Sequence, residues 1–396
     1  MKVLVINCGS SSLKYQLIDS VSEKVLAKGI CERIKLDGTL THQATGKEKI
    51  KIEAPMPDHS AAVSIVLEKL LDKELGAIES LDEIQAIGHR VVHGGEKFHS
   101  AALIDDDVLK AIAECNDLAP LHNPANLIGI EACKKLMPNV PQVAVFDTAF
   151  HQTMPDYAYL YGIPYEYYEK YKIRRYGFHG TSHSFVSKRT AEIINKDIKD
   201  TKIIVCHLGG GASICAVEGG KSIDTTMGLT PLEGITMGTR SGNIDPAVIE
   251  FIAVKENKSI TEIMNILNKQ SGVYGISGKS SDFRDINDGI NEGDKRCDIA
   301  MNLFCYQAAK FIGGYVAVMN GVDAIAFTAG VGENDYLVRK LTCERLKYLG
   351  IEIDQEANMV RGEEKRISTD SSKVPVYVVP TNEELAIARE TVALVQ

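Results

Sequence analysis

Short runs of apolar residues separated by polar turns open both halves of the chain, and each run is the length of a β-strand. Because each run turns directly into the next, the strands within a half are expected to be antiparallel. The predicted strands span 2–7, 11–19 and 23–30 and, in the second half, 202–207, 213–218 and 221–226. The pattern therefore predicts two halves that start alike.

After these openings, helical periodicity alternates with further apolar strands. The remaining predicted elements are strands at 85–92, 141–146 and 324–328, helices at 245–256, 259–269 and 295–319, and a polar Gly/Ser-rich segment at 271–294. Two α/β halves that each begin with three antiparallel strands are typical of the actin-like ATPase architecture. We therefore predict two ribonuclease H-like domains, with mixed sheets flanked by helices, around a nucleotide cleft.

The two openings also share a turn. Residues 2–14 (KVLVINCGSSSLK) and 202–214 (KIIVCHLGGGASI) each contain a strand, a turn of glycines or serines and a second strand. Such turns let backbone N–H groups approach an anion closely, although most are simple hairpins. Their repetition favours a phosphate clamp, and the absence of a G-x-x-x-x-G-K-[ST] motif argues against a P-loop protein.

Composition narrows the class of protein. With 396 residues the chain exceeds the size of a single core, so two domains are expected. A net charge of −9 argues against nucleic acid or an anionic membrane as a partner. Nine scattered cysteines, no signal-peptide pattern and an apolar stretch at 311–329 broken by Asn320 and Asp323 predict a reduced, cytoplasmic protein.

Six motifs together resemble the acetate kinase family, within the superfamily of acetate and sugar kinases, heat-shock chaperones and actin. They lie at 5–14, 88–95, 146–155, 176–183, 207–211 and 330–334. The resemblance covers essentially the whole chain. It implies reversible, Mg²⁺-dependent transfer of the ATP γ-phosphoryl group to acetate, giving acetyl phosphate and ADP, in a homodimer, with Mn²⁺ able to replace Mg²⁺. The domains are expected at 1–149 with the helix 384–396, and at 150–383.

Four residues are candidates for catalysis. Phosphoryl transfer needs alignment and positive charge around the equatorial oxygens. Arg90, which follows an apolar run and sits among glycines, and Arg240, in a glycine-flanked loop, both suit this task. The alternative for either arginine is a surface salt bridge. His179, between Gly177-Phe178 and Gly180, could donate to the transferring group or could be a structural loop histidine.

Asp147 follows a buried strand, where α/β sheets present functional groups. Because acetate is already ionised at neutral pH, a general base gains nothing, and we assign Asp147 to positioning, through water on Mg²⁺ or on a catalytic cation. By resemblance Asn7 and Glu383 serve the Mg²⁺ site. The sequence Thr381-Asn-Glu-Glu384 also predicts a capping box that occupies Glu384.

The remaining candidates contact ligands. For ATP they are Ser10, Ser12, Lys14, His207, Leu208, Gly209, Gly210, Gly211, Asp282, Phe283, Arg284, Gly330, Val331, Gly332, Glu333 and Asn334. For acetate they are Arg90, Val92, Leu121, His122, Phe178 and Pro231. An apolar pocket of this kind distinguishes one methylene by only about 1–3 kcal/mol. A propionate or other short-chain carboxylate kinase therefore stays open, as does a non-catalytic actin- or chaperone-like nucleotide switch.

Overall fold

The chain forms two units, which we describe separately. In a computed structural model that describes residues 1–120 and 122–396, the N-terminal unit comprises Met1–Gln152 with Asn382–Gln396, and the C-terminal unit comprises Thr153–Thr381. The predicted boundaries, after 149 and before 384, lie close to these divisions. Leu121 lies outside the described residues.

The strands fall into one sheet in each unit. They are β1 Lys2–Cys8, β2 Ser12–Asp19, β3 Lys24–Glu32, β4 Thr39–Ala44, β5 Ile50–Glu53, β6 Ile84–Val91, β7 Ala102–Leu103, β8 Gln142–Phe146, β9 Lys202–Leu208, β10 Ala212–Glu218, β11 Lys221–Thr225, β12 Ala324–Thr328, β13 Lys365–Arg366 and β14 Val376–Val378.

Helices flank both sheets. They are α1 His59–Leu70, α2 Asp106–Glu114, α3 Asn123–Leu136, α4 Asp156–Tyr159, α5 Glu166–Tyr171, α6 Gly180–Ile193, α7 Ala247–Glu256, α8 Ile260–Lys269, α9 Gly272–Ser277, α10 Phe283–Asn291, α11 Lys295–Val318, α12 Ala329–Asn334, α13 Tyr336–Glu344 and α14 Glu383–Val395.

The two sheets share a strand order. The N-terminal sheet runs β5-β4-β3-β2-β1-β6-β8-β7 and the C-terminal sheet runs β11-β10-β9-β12-β14-β13. The shared part is three antiparallel strands, β3-β2-β1 and β11-β10-β9, followed by two strands parallel to the last of them, β6-β8 and β12-β14. The N-terminal sheet carries two further antiparallel strands, β4 and β5, and each sheet ends in a short antiparallel strand, β7 or β13. The predicted α/β class with two mixed, antiparallel-start sheets is confirmed.

The N-terminal sheet is covered on both faces. Val3 and Val5 of β1 join the core cluster that contains Ile387 and Ala388 of α14, whereas Leu4 and Ile6 face the cluster with α1 and α3. This explains why β1 contains an uninterrupted apolar run from Val3 to Ile6 instead of an alternating pattern. At Gly88 of β6 a Cβ would lie 2.5 Å from Thr391 Oγ1, so glycine permits the close approach of α14.

The C-terminal sheet packs against α6, α11 and α12. Its central strands β9 and β12 are buried along nearly their whole length. The segment 271–294, for which only a polar, Gly/Ser-rich character was predicted, contains α9 and α10. Asp282 caps α10 by accepting from Arg284 N, and Phe283 and Ile286 are buried one turn apart, which the many glycines and serines obscured.

A further correction concerns the start of α14. Asn382, and not Thr381, is the N-cap, because its side chain accepts a hydrogen bond from Leu385 N at 3.0 Å. Thr381 instead accepts a hydrogen bond from Ser182 Oγ at 2.9 Å. The predicted capping box, with Glu384 reaching back, is therefore wrong. Across the described ranges 1–120 and 122–396, no helix combines the length and apolar character that a membrane crossing requires.

Candidate active site

Three polar side chains meet at one edge of the N-terminal sheet. Asn7 lies near the end of β1, Arg90 near the end of β6 and Asp147 directly after β8. These strands are parallel neighbours in the order β1-β6-β8, so their carboxyl ends lie side by side. The carboxyl edge of such a sheet is where α/β proteins present ligand-binding groups.

Arg90 and Asp147 form a bidentate ion pair. Arg90 Nε donates to Asp147 Oδ1 at 2.9 Å and Nη2 donates to Oδ2 at 2.5 Å, while Nη1 lies 3.4 Å from Asn7 Oδ1. The Arg90 side chain is 23% exposed and that of Asp147 only 3%. This is not a surface salt bridge. One edge of the guanidinium is fixed by Asp147, which leaves the Nη1 side to meet a second anion.

The charges around this pair are strongly coupled. Burial raises the pKa of Asp147, Arg90 opposes that shift by stabilising the carboxylate, and Glu383 adds to it. Burial also disfavours the charged guanidinium, but Asp147 and Glu383 together hold the pKa of Arg90 above its ordinary value. Glu383, the first residue of α14, therefore acts on the same site as Asp147.

The donors at this edge suit a hard cation. Asn7 offers an amide oxygen, and Asp147 and Glu383 offer carboxylates, which are the oxygen ligands that Mg²⁺ accepts while keeping most of its waters. Within residues 1–120 and 122–396, no cluster of three or more His, Cys, Asp or Glu side chains is arranged to enclose a metal. By type, these oxygen donors fit Mg²⁺, and the described residues do not form a closed metal site.

The loop after β6 is held by two asparagines that sequence analysis missed. Asn126 Oδ1 accepts from Val92 N at 3.1 Å, and Asn123 Oδ1 accepts from His93 N at 3.1 Å. Val92 is buried, and His122, at the N-cap position of α3, is exposed. The only sign of these two asparagines in the sequence was the Asn-Pro-Ala-Asn segment at the start of α3. Its two asparagine side chains hold the neighbouring loop after β6.

The first glycine turn joins β1 to β2. Gly9 N donates to Ser12 O at 2.8 Å, and His59 Nε2 lies 2.7 Å from Gly9 O. Ser10 is exposed and Ser12 half-buried. Lys14 follows on β2 and lines a cavity of about 310 Å³ together with Glu384. Ser10 lies in this turn, and Ser12 and Lys14 lie on β2 directly after it; their contact with phosphate stays a prediction.

The second turn, in the C-terminal unit, lies against Arg240. Gly238 N donates to Gly210 O at 3.0 Å, and a Cβ at Gly211 would lie 3.3 Å from Arg240 Nη1, so the guanidinium rests on the glycine backbone. Arg240 Nη1 also donates to Pro231 O at 2.9 Å. The structure thus brings Gly209–Gly211, Pro231 and Arg240 together.

Arg240 differs from Arg90 in its partners. Burial lowers the pKa of Arg240, and among the described residues no carboxylate offsets that effect. The Arg240 side chain is half-buried, and removing a cation from water without a counter-ion is costly. A guanidinium in this setting is suited to binding an anion.

Histidines and serines form a network beside this turn. His179, which has a φ of 58° immediately before α6, has its ring stacked on that of His207 at 4.1 Å between centroids. Ser213 Oγ lies 2.8 Å from both His179 Nδ1 and His183 Nε2, and Ser182 Oγ lies 2.8 Å from His207 Nδ1. Phe178, next to His179, is buried. Ser213 and Ser182 were not predicted.

A cavity of about 570 Å³ in the C-terminal unit collects much of the predicted ATP set. Its predicted lining residues are Gly209, Gly210, Asp282, Phe283, Arg284, Gly330, Val331 and Asn334. Ser281, Asn287, Asp335 and Arg361 also line it and were missed. Arg361 lies in an irregular loop whose sequence carried no pattern. A cavity of this size is suited to a small-molecule ligand.

Three residues of the predicted ATP set have other contacts. Leu208 is fully buried in the core, and Gly332 packs on Phe327 and Leu208. Glu333 Oε1 accepts from Ala329 N at 2.8 Å and from Thr381 N at 3.1 Å. The Glu333 carboxylate therefore links Ala329, the first residue of α12, to Thr381, the last residue of the C-terminal unit.

The repeated sheet order is that of the actin-like ATPase class, and the glycine turns and half-buried arginines are suited to binding phosphate. Comparison with known proteins gives the family. A model described as the acetokinase family matches residues 2–389. The chain belongs to this family.

Relatives agree over the full length. An acetate kinase from Lachnoclostridium phytofermentans is 63% identical, with 100% of both chains covered. Among solved structures, an acetate kinase from Porphyromonas gingivalis is 48% identical, with a TM-score of 0.97 and 100% of both chains covered. A propionate kinase from Francisella tularensis is 44% identical, with a TM-score of 0.93 and 99% coverage of both chains.

Proposed function

We propose that this protein is an acetate kinase, which transfers the γ-phosphoryl group of ATP reversibly to acetate. An acetate oxygen attacks the γ-phosphorus in line, the bond to the β,γ-bridging oxygen breaks, and ADP leaves. No proton has to be removed from acetate at neutral pH. Catalysis then consists of alignment and of stabilising the charge on the transferring group.

The observation that carries the proposal is the half-buried Arg240 on the backbone of Gly211. A guanidinium that lacks a carboxylate partner and lies against a glycine turn is suited to the equatorial oxygens of a phosphoryl group. His179, in the same unit, is proposed as a hydrogen-bond donor to that group. The cavity lined by Gly210, Asp282 and Gly330 is proposed to hold the nucleotide.

Arg90 is proposed to bind the acetate carboxylate. Its Nε edge is held by Asp147, so the guanidinium meets the substrate in one orientation with its other edge. Asp147 is thereby assigned to orienting a cation, one of the two roles that the sequence left open. Val92, Phe178 and Pro231, together with Leu121 and His122, are proposed to limit the size of the acyl group.

Mg²⁺ is proposed as the metal, with Mn²⁺ as a substitute, near Asn7 and Glu383. When bound it would neutralise charge on the phosphates. Ser10, Ser12 and Lys14 are proposed to contact the γ-phosphate or the product. The proposal for Glu383 is supported by its electrostatic coupling to Arg90 and Asp147.

A homodimer is proposed as the working state. Each residue of α7 is half-exposed or exposed, including Phe251 at 64% and Val254 at 76%. An apolar helix with no buried face in its own chain is suited to pair with a second copy. A cytoplasmic location is also proposed, since all nine cysteines are buried free thiols.

The decisive experiment traps acyl phosphate as its hydroxamate, with Mg-ATP and acetate, propionate or butyrate at equal concentrations. We expect the highest kcat/KM with acetate. A higher value with propionate would favour a propionate kinase, which is the name of one close structural relative. ATP binding without any acyl phosphate would instead identify a nucleotide switch.

A further inference from the structure

Ser213 has a position in the histidine network that no sequence motif indicated. It is fully buried on β10, directly opposite His207 in the β9–β10 register. Its hydroxyl lies 2.8 Å from His179 Nδ1 and 2.8 Å from His183 Nε2. His179 and His183 are one helical turn apart on α6, so a single hydroxyl bridges two imidazoles.

A serine hydroxyl has one proton, which restricts how this bridge can be made. If Ser213 donates to His179 Nδ1, it can accept from His183 Nε2–H. If it donates to His183 instead, it must accept from His179 Nδ1–H. The tautomers of the two neutral rings are therefore coupled through one oxygen.

The two arrangements differ in what His179 presents on its other side. In the first, the neutral ring carries its proton on Nε2 and can donate a hydrogen bond to an anion. In the second, neutral His179 presents a lone pair at Nε2, which repels an anion. Only the first arrangement lets an uncharged His179 stabilise a transferring phosphoryl group.

We infer that Ser213 is a positioning residue that, together with His183, holds His179 as the Nε2–H tautomer which donates to the transferring phosphoryl group. This inference rests on the proposed function of His179. The ring of His179 is also held by stacking on His207, and its backbone is held in the left-handed region at φ 58°. Ser213 supplies what stacking and backbone cannot, a hydrogen bond that couples the proton position on His179 to that on His183.

The test reads the tautomer directly. The full-length protein, labelled with [¹⁵N]histidine, is examined by two-bond ¹H–¹⁵N spectra, and His179 is assigned from its disappearance in His179→Gln. We expect protonated-type Nε2 and unprotonated-type Nδ1 shifts for His179. Ser213→Ala should move these shifts toward the other tautomer, and Ser213→Thr, which keeps the hydroxyl, should restore them.

Kinetics give the second readout. Ser213→Ala should lower kcat by about 10-fold, as expected for one lost orienting hydrogen bond, with the KM values for ATP and acetate little changed. Ser187→Ala is the matched control. It removes another buried hydroxyl, which bonds Ser184 O on α6 at 3.1 Å, and should leave kcat and the His179 shifts unchanged.

The outcomes separate the inference from the proposed function. An Nδ1–H tautomer in the wild-type protein, which needs no variant to fold, or unchanged shifts in Ser213→Ala would overturn the inference. A shifted tautomer with wild-type kcat would support the control by Ser213 but refute the proposed role of His179. A shifted tautomer with reduced kcat supports both.

Discussion

Asp147→Asn tests whether Asp147 acts through Arg90 or through the metal. The substitution keeps one oxygen acceptor for Arg90 but places an amide N–H₂ group against the second guanidinium N–H. One of two hydrogen bonds, at 2.9 and 2.5 Å, is therefore lost, and the Arg90 charge loses its counter-ion.

The size of the effect follows from burial. Removing one partner of a buried ion pair costs about 3–5 kcal/mol. Arg90 is 23% exposed and asparagine keeps one acceptor, so we expect a loss of about 2–4 kcal/mol in the free energy of unfolding. For a unit of this size that corresponds to a Tm lower by about 5–15 °C. The KM for acetate should rise about 10- to 100-fold as Arg90 loses its fixed orientation.

A double-mutant cycle separates the two roles. KM for acetate, kcat and the Mg²⁺ concentration for half-maximal rate are measured for wild type, Arg90→Ala, Asp147→Asn and the double variant. If Asp147 acts by orienting Arg90, its substitution should raise the acetate KM no further once Arg90 is absent. The Mg²⁺ dependence should be unchanged.

Additive effects on KM would refute this reasoning. They would mean that Asp147 contributes to catalysis independently of Arg90. A higher Mg²⁺ requirement in Asp147→Asn would assign it to the metal instead. A stability unchanged within error would contradict the energetic argument, because the buried guanidinium would then not need its partner.

Two further predictions concern α14 and the acid stability of the N-terminal unit. Asn382→Ala removes the hydrogen bond that caps Leu385 N and should lower the free energy of unfolding, measured in urea, by about 1 kcal/mol. Asn382→Asp is the control, because it keeps an oxygen that can cap the helix. Glu383→Gln should mainly raise the Mg²⁺ concentration that catalysis requires. The reverse pattern would show that the metal and capping roles are misassigned. Burial lowers the pKa of His89 to about 4, so the unfolded chain takes up a proton near pH 6.5 that the folded protein excludes. The contribution of His89 to stability should be complete above pH 6.5 and fall by roughly 3 kcal/mol toward pH 4. Burial also lowers the pKa of His93 to about 4, so His89→Gln should reduce, and not abolish, the difference in stability between pH 7.5 and pH 5. An unchanged difference in urea titrations at these two pH values would contradict the prediction.

Much of the fold could be predicted from local pattern. Strand β8 reads as an uninterrupted apolar run that ends at Asp147, and β1 and β9 carry the same run before a glycine turn. Strong periodicity and turn residues act over short distances, so they are visible in one sequence. The helices α9 and α10 were missed because glycines and serines there outweigh two buried residues, Phe283 and Ile286.

The site was less predictable because it depends on contacts between distant positions. Arg90 and Asp147 are 57 residues apart, and nothing local shows that one fixes the other. Ser213 looks like an ordinary strand residue until β10 is placed beside α6. Thr381 matched a capping motif, but in the structure Asn382 accepts the hydrogen bond from Leu385 N and caps the helix. Both residue types are favourable N-caps, so their propensities could not decide between them.

The position of α14 in the chain has a consequence for biosynthesis. This helix covers the face of β1, β6 and β8 that bears Val3 and Val145, but it is translated after the entire C-terminal unit. The growing chain must therefore carry an incomplete N-terminal sheet, with an uncovered apolar face, until α14 has been synthesised through Val395 and has left the ribosome. Residues 153–381, by contrast, are continuous and can fold first. The N-terminal unit is thus the first to be synthesised and the last to complete its fold. While translation continues, its exposed apolar face is the surface that most needs protection from aggregation.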